Sequence, residues 1–450
     1  MNLRGDADQH ESHTPAESAA QQPLGVFSAV GLEIEYVLVD NVTLDCRPIA
    51  DRLLTNARGE VIGEQSDGAL SWSNEFFLHV LELKNPAPTN DLLTLQKALQ
   101  GAVQKMNRRL RAHGARLMPS AIHPWMEPTT DGCRWPYGET DIYDTYARIF
   151  DCQTHGWANL QSMHINLPFA DDTEFAHLHA AIRLLLPLIP ALAASSPVAN
   201  GALTGFADFR LETYRTNASA YPLITGHVIP ETIGSEEEYR RKILQPMYRA
   251  IAPVDLHGVL QHDWLNSRGA IARFDRNAIE IRVTDTQECV SADLAVATAI
   301  IHATQVLYQR SVSALRDATA SSTLALEAIL LNCISDGDRT IVDDAGYLAA
   351  LGWSGAAAPT AADLWRYLLA RPVQSSLTID PDSQRVVAQI LEHGSLSRRI
   401  TEALGTAPTR AQLTEVYQDL CQCLECDRLY LPARRASAST TVVNDARAAC

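Results

Sequence analysis

Lysine is nearly missing from this chain of 450 residues. Lys84, Lys97, Lys105 and Lys242 are the only four, so 37 − 4 leaves 33 of the 37 basic residues as arginine. Guanidinium groups make planar, bidentate contacts that suit carboxylates and phosphates. Positive charge is scarce overall: against 53 Asp and Glu, it leaves a formal charge of −16 and a pI near 5.3. Nucleic acid is therefore not an expected partner, because phosphate neutralisation needs a clustered basic surface. No run of about 18 apolar residues occurs, so no membrane-spanning helix and no membrane partner is expected. Met1 to Gly25 is polar and acidic and lacks the apolar core of a secretion signal, which points to the cytoplasm. The glycine signatures of nucleotide binding are missing too: neither GxxxxGK-S/T nor a strand-linked GxGxxG is present. Cysteines number nine, without framework spacing. Cys421, Cys423 and Cys426 contain one CxxC, but zinc asks for four ligands and no second pair exists, so buried reduced thiols are expected.

What is present is ordinary globular material, 46% hydrophobic and 20% charged. The length allows two or three domains or one large α+β unit. Residues 1–25 and 433–450 read as flexible tails, 26–320 as the main domain and 321–432 as a helical C-terminal extension. Leu92, Leu95, Leu99, Val103, Met106 and Leu110 recur at helical spacing, with Asn90 as cap and Gly114 as stop. Further helices are expected over Thr173–Ala194, from Ser235 to about Ala250 with Glu238 completing a capping box, and from Ser291 to about Leu315. Strands are expected at Gly31–Val39, Phe76–Leu83, Arg116–Ile122, Gln161–Leu167, Ala270–Arg273 and Ala278–Thr284. Their long connections indicate an α+β fold, a sheet with helices packed on one face.

Four of these strands share a pattern. Strand side chains alternate between faces, so Leu32, Ile34 and Tyr36 oppose Glu33 and Glu35. Met163, Ile165 and Leu167 oppose Ser162, His164 and Asn166. Ile279, Ile281 and Val283 oppose Glu280 and Arg282. Glu82 opposes Leu81 and Leu83, with Glu75 near the start of that segment. A solvated outer face of an antiparallel sheet has the same alternation. Such faces normally mix Thr, Lys, Gln and Ser, whereas here Glu comes from three separate segments and a fourth adds His164 and Asn166. Glu33 and Glu35, about 7 Å apart on one face, repel each other unless a cation lies beside them. Hard divalent cations want carboxylate oxygens, and a neutral imidazole can add one ligand.

These residues, in this order from about Gly31 to about Tyr308, resemble the glutamate–cysteine ligase family 2 group of carboxylate–amine ligases, which have a glutamine-synthetase-like fold. The opening strand is matched by Gly31-Leu32-Glu33-Ile34-Glu35, and the next acidic strand by Glu75 and His79-Val80-Leu81-Glu82. A His-Pro-aromatic element is matched by His123-Pro124-Trp125, and the central strand by His164-Ile165-Asn166. The Ser-Pro loop and its arginine are matched by Ser196-Pro197, Gly201 and Arg215, and the closing strand by Arg273, Glu280, Arg282 and Asp285.

The resemblance implies an antiparallel sheet with a concave carboxylate-lined face. It implies ATP-dependent formation of a γ-glutamyl or related amide bond through an acyl phosphate, with Mg²⁺ or Mn²⁺. Glu33, Glu35, Glu75, Glu82, His164 and Glu280 would be metal ligands, Arg282 and Arg215 catalytic groups, and Asn166 a polar substrate contact. His123 and Ser162 would be further substrate contacts, though Arg215 also reads as a loop brace and His123 as a turn former. Ser162 stands where many relatives carry a second His. Lys84 stands where they carry a small polar residue, and reads as a substrate contact or a strand-end charge. Partners would be small molecules: a carboxylate such as glutamate, an amine and ATP. A homo-oligomer is compatible with this. A non-catalytic binding protein and a guanidino-type phosphotransferase are the other readings of the same fold.

Overall fold

The computed structural model describes residues 23–138, 140–310 and 322–432. Most of the two expected tails therefore lies outside the described residues. So does 311–321, where the boundary near 320 and the end of the helix expected to reach Leu315 fall.

An eight-stranded antiparallel sheet organises the molecule. Its strands are β1 (Gly31–Asp40), β2 (Glu64–Asp67), β3 (Leu70–Asn74), β4 (Val80–Lys84), β5 (Ala115–Met118), β6 (Ser162–Pro168), β9 (Ala270–Arg273) and β10 (Ala278–Asp285). A separate two-stranded hairpin supplies β7 (Val198–Ala199) and β8 (Ala202–Leu203). The order is β2-β3-β4-β1-β6-β10-β9, and β5 also pairs with β1. One long edge of β1 is divided: β6 pairs with Gly31–Ile34, and β5 with Val37–Asp40. Gly31 is needed where β6 approaches, because a Cβ there would stand 3.1 Å from the Cβ of Asn166.

The alternation in the sequence becomes two faces. Leu32, Ile34, Leu81, Leu83, Met163, Ile165, Leu167, Ile279 and Ile281 are fully or almost fully buried in the main core. That core is closed by α1 (Leu92–Arg111), α2 (Asp172–Leu185) and α4 (Val290–Tyr308). Burying each such side chain contributes about 1.5–3 kcal/mol over leaving it exposed. A short helix, α3 (Phe209–Tyr214), precedes α4. The C-terminal helices include α5 (Thr323–Asp336), α6 (Ala345–Leu351), α7 (Ala361–Leu369), α8 (Asp382–His393), α9 (Leu396–Leu404) and α10 (Arg410–Cys426). Residues of α5 to α8 enter the main core. Those of α9 and α10 form a second core on the opposite face of β1, with Val37, Val39 and Met118.

Several sequence expectations need correction. Asp91, not Asn90, caps α1, its carboxylate accepting from Thr94 N at 2.9 Å. The Ser235 hydroxyl accepts from Glu238 N, but Glu238 turns back to Gly234 N, so the box is half made. The strand expected over Phe76–Leu83 begins only at Val80. The rings of Phe76 and Phe77 pack into an aromatic cluster with Tyr143 instead, and Glu75 lies on the connection between β3 and β4. The β2–β3 hairpin was not foreseen, its polar sequence carrying little strand signal. Two helical stretches, Asp172–Ala193 and Val290–Tyr308, are long and apolar enough to cross a membrane, against the length-based expectation. They are core helices here, 83% of the apolar 18-residue window of each being buried within the protein.

Candidate metal and anion site

Strand register gathers the polar residues. Glu33 stands opposite Lys84 on one side and His164 on the other, and Glu35 stands opposite Glu82. Ser73 of β3 also pairs with Glu82, and Asn166 with both Gly31 and Glu280. Antiparallel partners point to the same face, so one stretch of sheet carries all of these side chains. Two clusters result, each with donor atoms within 4.8 Å of one another: Glu33, Glu82 and His164, and Glu35, Glu75 and Glu82. Glu82 belongs to both.

The carboxyl groups are not alike. Burial, then the charges of Glu82 and Glu35, push Glu75 far above the usual carboxylate range. Burial and Glu33 push Glu82 up against the pull of Lys84, whose ammonium lies 3.0 Å from Glu82 Oε1. Burial also acts on Glu33, but its hydrogen bond with His164 leaves it below its ordinary value. Glu280 resists burial most strongly, held down to about 2 by Arg282, His164 and Arg273. Its Oε1 accepts from Arg282 Nε at 3.0 Å and Nη2 at 2.6 Å, and its Oε2 from Arg273 Nη1 at 3.3 Å. Glu280 approaches His164 at 3.5 Å but joins neither cluster.

Ser162 ties the centre together. Its N–H and hydroxyl donate to Glu35 Oε2 at 2.6 and 3.1 Å. His164 Nε2 lies 2.9 Å from the Ser162 oxygen, and Nδ1 lies 3.2 Å from Glu33 Oε2. With the serine proton given to Glu35, both ring nitrogens are placed to donate. The Glu33 hydrogen bond and the Glu280 charge then outweigh burial and raise the affinity of His164 for its proton. A cation bound to this ring must displace that proton. Asn166 Nδ2 completes the group, donating to Glu33 Oε1 at 3.3 Å.

Two expected site residues are not brought here. The His123 ring is buried at Leu44 O and Trp125 N, and burial depresses its basicity to about 4. Arg215 caps the end of α3 and clasps Glu212 through Nε and Nη2, both at 2.7 Å. Lys84 does reach the face, bound to Glu82, Ser73 and Glu64. Among residues the sequence reading overlooked, Ser73 donates to Glu82 Oε1 at 2.9 Å. The only signal for Ser73 was its alternation with Trp72 in β3. Cys421 and Cys423 are buried within α10, and burial pushes both thiols up to about 12. That fits inert core residues.

The donor set suits hard divalent cations: clustered carboxylates with one imidazole, two of the acids being unfavourable as free anions.

Comparison with known proteins identifies the family. The family model described as glutamate-cysteine ligase family 2 matches residues 29–421. A protein of Archaeoglobus fulgidus without an assigned function is 30% identical over 412 residues, covering 89% of this chain and all of the relative. A protein of Paenarthrobacter aurescens, provisionally named glutamate–cysteine ligase 2-1, is 25% identical over 60% of this chain and 64% of its own length. Among solved structures, a glutamate–cysteine ligase from Francisella tularensis, in complex with AMP, aligns at TM-score 0.52 with 11% identity over 89% of both chains. A bifunctional glutathione synthetase from Pasteurella multocida aligns at 0.54 with 12% identity, covering 89% of this chain and 51% of the other. The α+β sheet fold is thus shared with these ligases. With the family model spanning most of its length, the chain belongs to glutamate-cysteine ligase family 2.

Proposed function

We propose that this protein is an ATP-dependent carboxylate–amine ligase that makes a γ-glutamyl or related amide bond through an acyl phosphate. The observation that carries the reading is the pair of carboxylate clusters joined at Glu82, where burial and neighbouring carboxylates favour the neutral forms of Glu75 and Glu82. Glu33, Glu35, Glu75, Glu82 and His164 would hold Mg²⁺ or Mn²⁺. Bound there, the ions would neutralise the phosphates of ATP and the charge that builds on the transferred group. Arg282, fixed by Glu280, supplies a rigid cation beside the clusters, suited to an anionic group in transfer. Ser162 orients Glu35 and His164, so its contribution is to hold ligands in place. Asn166 and Lys84 remain the candidates for substrate contact on this face. The AMP in the Francisella ligase supports a nucleotide as co-substrate.

The test is a matrix of amino acids and other amines, each with glutamate, ATP and Mg²⁺, scored for ADP, free phosphate and condensed product. A ligase gives all three with at least one amine. ADP with a phosphorylated amine and no free phosphate would make the protein a phosphotransferase. Nucleotide binding without turnover would make it a binding protein.

A further inference from the structure

Helix α3 and its C-cap hold two arginines in opposite settings. The Arg215 side chain is 32% exposed and satisfied by Glu212, whereas that of Arg210 is 2% exposed. Arg210 Nε donates to Asp285 Oδ1 at 2.5 Å, and Nη2 reaches the backbone oxygen of Arg282 at 3.4 Å. No hydrogen bond from Nη1 is found among the described residues. A guanidinium that served only as a brace would be expected to use both of its terminal nitrogens when so deeply enclosed.

Its surroundings place the Arg210 guanidinium beside the site. The register of β10 against β6 shifts between Ile281 and Thr284. The shift puts Asp285, rather than Thr284, opposite Ser162, on the face that carries Glu35. Such bulges re-aim side chains at functional edges of a sheet. Asp285 is held rigidly: Oδ2 accepts from Ser195 N and the Ser196 hydroxyl, both at 2.8 Å. Thr286 next to it donates to the backbone oxygen of Glu35 at 3.1 Å. Arg210 also lies within electrostatic reach of Glu35. Asp285 is the acid that pairs with Arg210, at 2.5 Å from Nε, and so is its fixed counter-charge.

We infer that Arg210 is a further anion-binding residue of the ligase site. Its Nη1 donates to an oxygen of the substrate's phosphate or carboxylate, and Asp285 is the positioning residue that fixes its fork. The inference rests on the ligase reading above and assigns the anion contact on α3 to Arg210 instead of Arg215.

The test uses the full chain and Arg210→Lys, which keeps the charge and loses the fork. A drop in kcat/KM of about tenfold or more is expected, with an unchanged far-ultraviolet circular dichroism spectrum. A rise in KM for ATP identifies phosphate as the anion, and a rise in KM for the acid identifies carboxylate. Asp285→Asn should produce the same KM shift in weaker form. Arg210→Ala should recover turnover saturably with added guanidinium, a rescue that a purely structural role does not give. If the alanine variant fails to fold, the lysine variant decides. A folded Arg210→Lys protein with unchanged kcat/KM overturns the inference. Calorimetry with a non-hydrolysable ATP analogue and with glutamate separates the two readings. If the unmodified chain releases no ADP, the ligase reading falls. Weaker binding of either ligand by Arg210→Lys still upholds the anion contact, and unchanged binding of both removes it.

Discussion

One face of β1 meets two different environments within seven residues. At its first end Glu33 and Glu35 stand among other carboxyl groups. At its second end Val37 and Val39 are completely buried against Met118, Leu396, Leu413 and Tyr417. The change follows the change of neighbour strand, since β6 flanks the acidic half and β5 the apolar half. Like charges brought together cost stability, and apolar burial supplies it. The apolar half of this face thus offsets part of the cost of the acidic half. The C-terminal helices α9 and α10 belong to this arrangement. They cover the apolar half, and Arg399 of α9 pairs with buried Glu288 just beyond β10.

The sharpest way to break this comparison is to change one residue in each half. Glu82→Gln removes the carboxylate common to both clusters and should lower turnover by at least about a hundredfold at saturating Mg²⁺. It should leave the melting temperature in metal-free buffer the same or higher, because a repulsive charge has gone. Leu413→Ala should do the reverse, costing about 2–5 kcal/mol in denaturant unfolding while turnover per folded molecule stays within roughly twofold. If Leu413→Ala cut turnover as deeply as Glu82→Gln, the two halves would not be separable. If Glu82→Gln kept near-normal turnover, the shared-ligand arrangement would be wrong.

A second experiment sharpens the comparison through pH. The carboxyl of Glu75 keeps its proton well above the usual range in the folded chain. Such a group stabilises fully below its unfolded value near 4.5, and the contribution is lost as pH rises through the folded value. Glutamine cannot ionise. In metal-free buffer the melting temperature of Glu75→Gln should therefore match the parent at pH 4 and exceed it increasingly toward pH 8. Mg²⁺ should narrow or reverse the gap at pH 8, because a cation takes the place of the proton. A gap that did not depend on pH would mean that Glu75 is not held in its acid form.

The acidic half was the more legible in the sequence. Strict alternation in β1, β6 and β10 sets Glu33, His164 and Glu280 on one face, and the register puts them there. Legibility ended where the backbone departs from alternation. Glu75 sits on a turn, and Arg210 reaches the face through a bulge whose presence no local composition announces. Arg215 and His123 resembled site residues by position in a motif, yet each is satisfied by a neighbour that periodicity cannot reveal. The apolar half was opaque for another reason. Val37 and Val39 continue an alternating pattern as ordinary strand residues, and their partners Leu413 and Tyr417 lie nearly 380 residues further along the chain.

The smallest expected effect concerns Lys84, the only lysine on the acidic face. Its ammonium lies 3.0 Å from Glu82 Oε1 and from Ser73 Oγ, and 3.5 Å from Glu64. It therefore occupies one side of the carboxylate that the two clusters share, where a divalent cation would also seek an oxygen. Lys84→Met removes a positive charge beside both clusters while keeping the length of the side chain. Mg²⁺ should then bind about threefold to tenfold more tightly, the modest gain expected for a charge only partly shielded from solvent. The gain should shrink as pH falls, since burial and Glu33 already favour protonated Glu82 and losing its ammonium partner favours it further. Titrating the melting temperature with Mg²⁺ at pH 8 and pH 6 measures both effects. A lysine that instead holds the substrate behaves differently. Its loss would leave Mg²⁺ affinity unchanged and raise KM for the acid or for ATP, and Lys84 would then belong with Arg210 and Arg282 among the anion contacts.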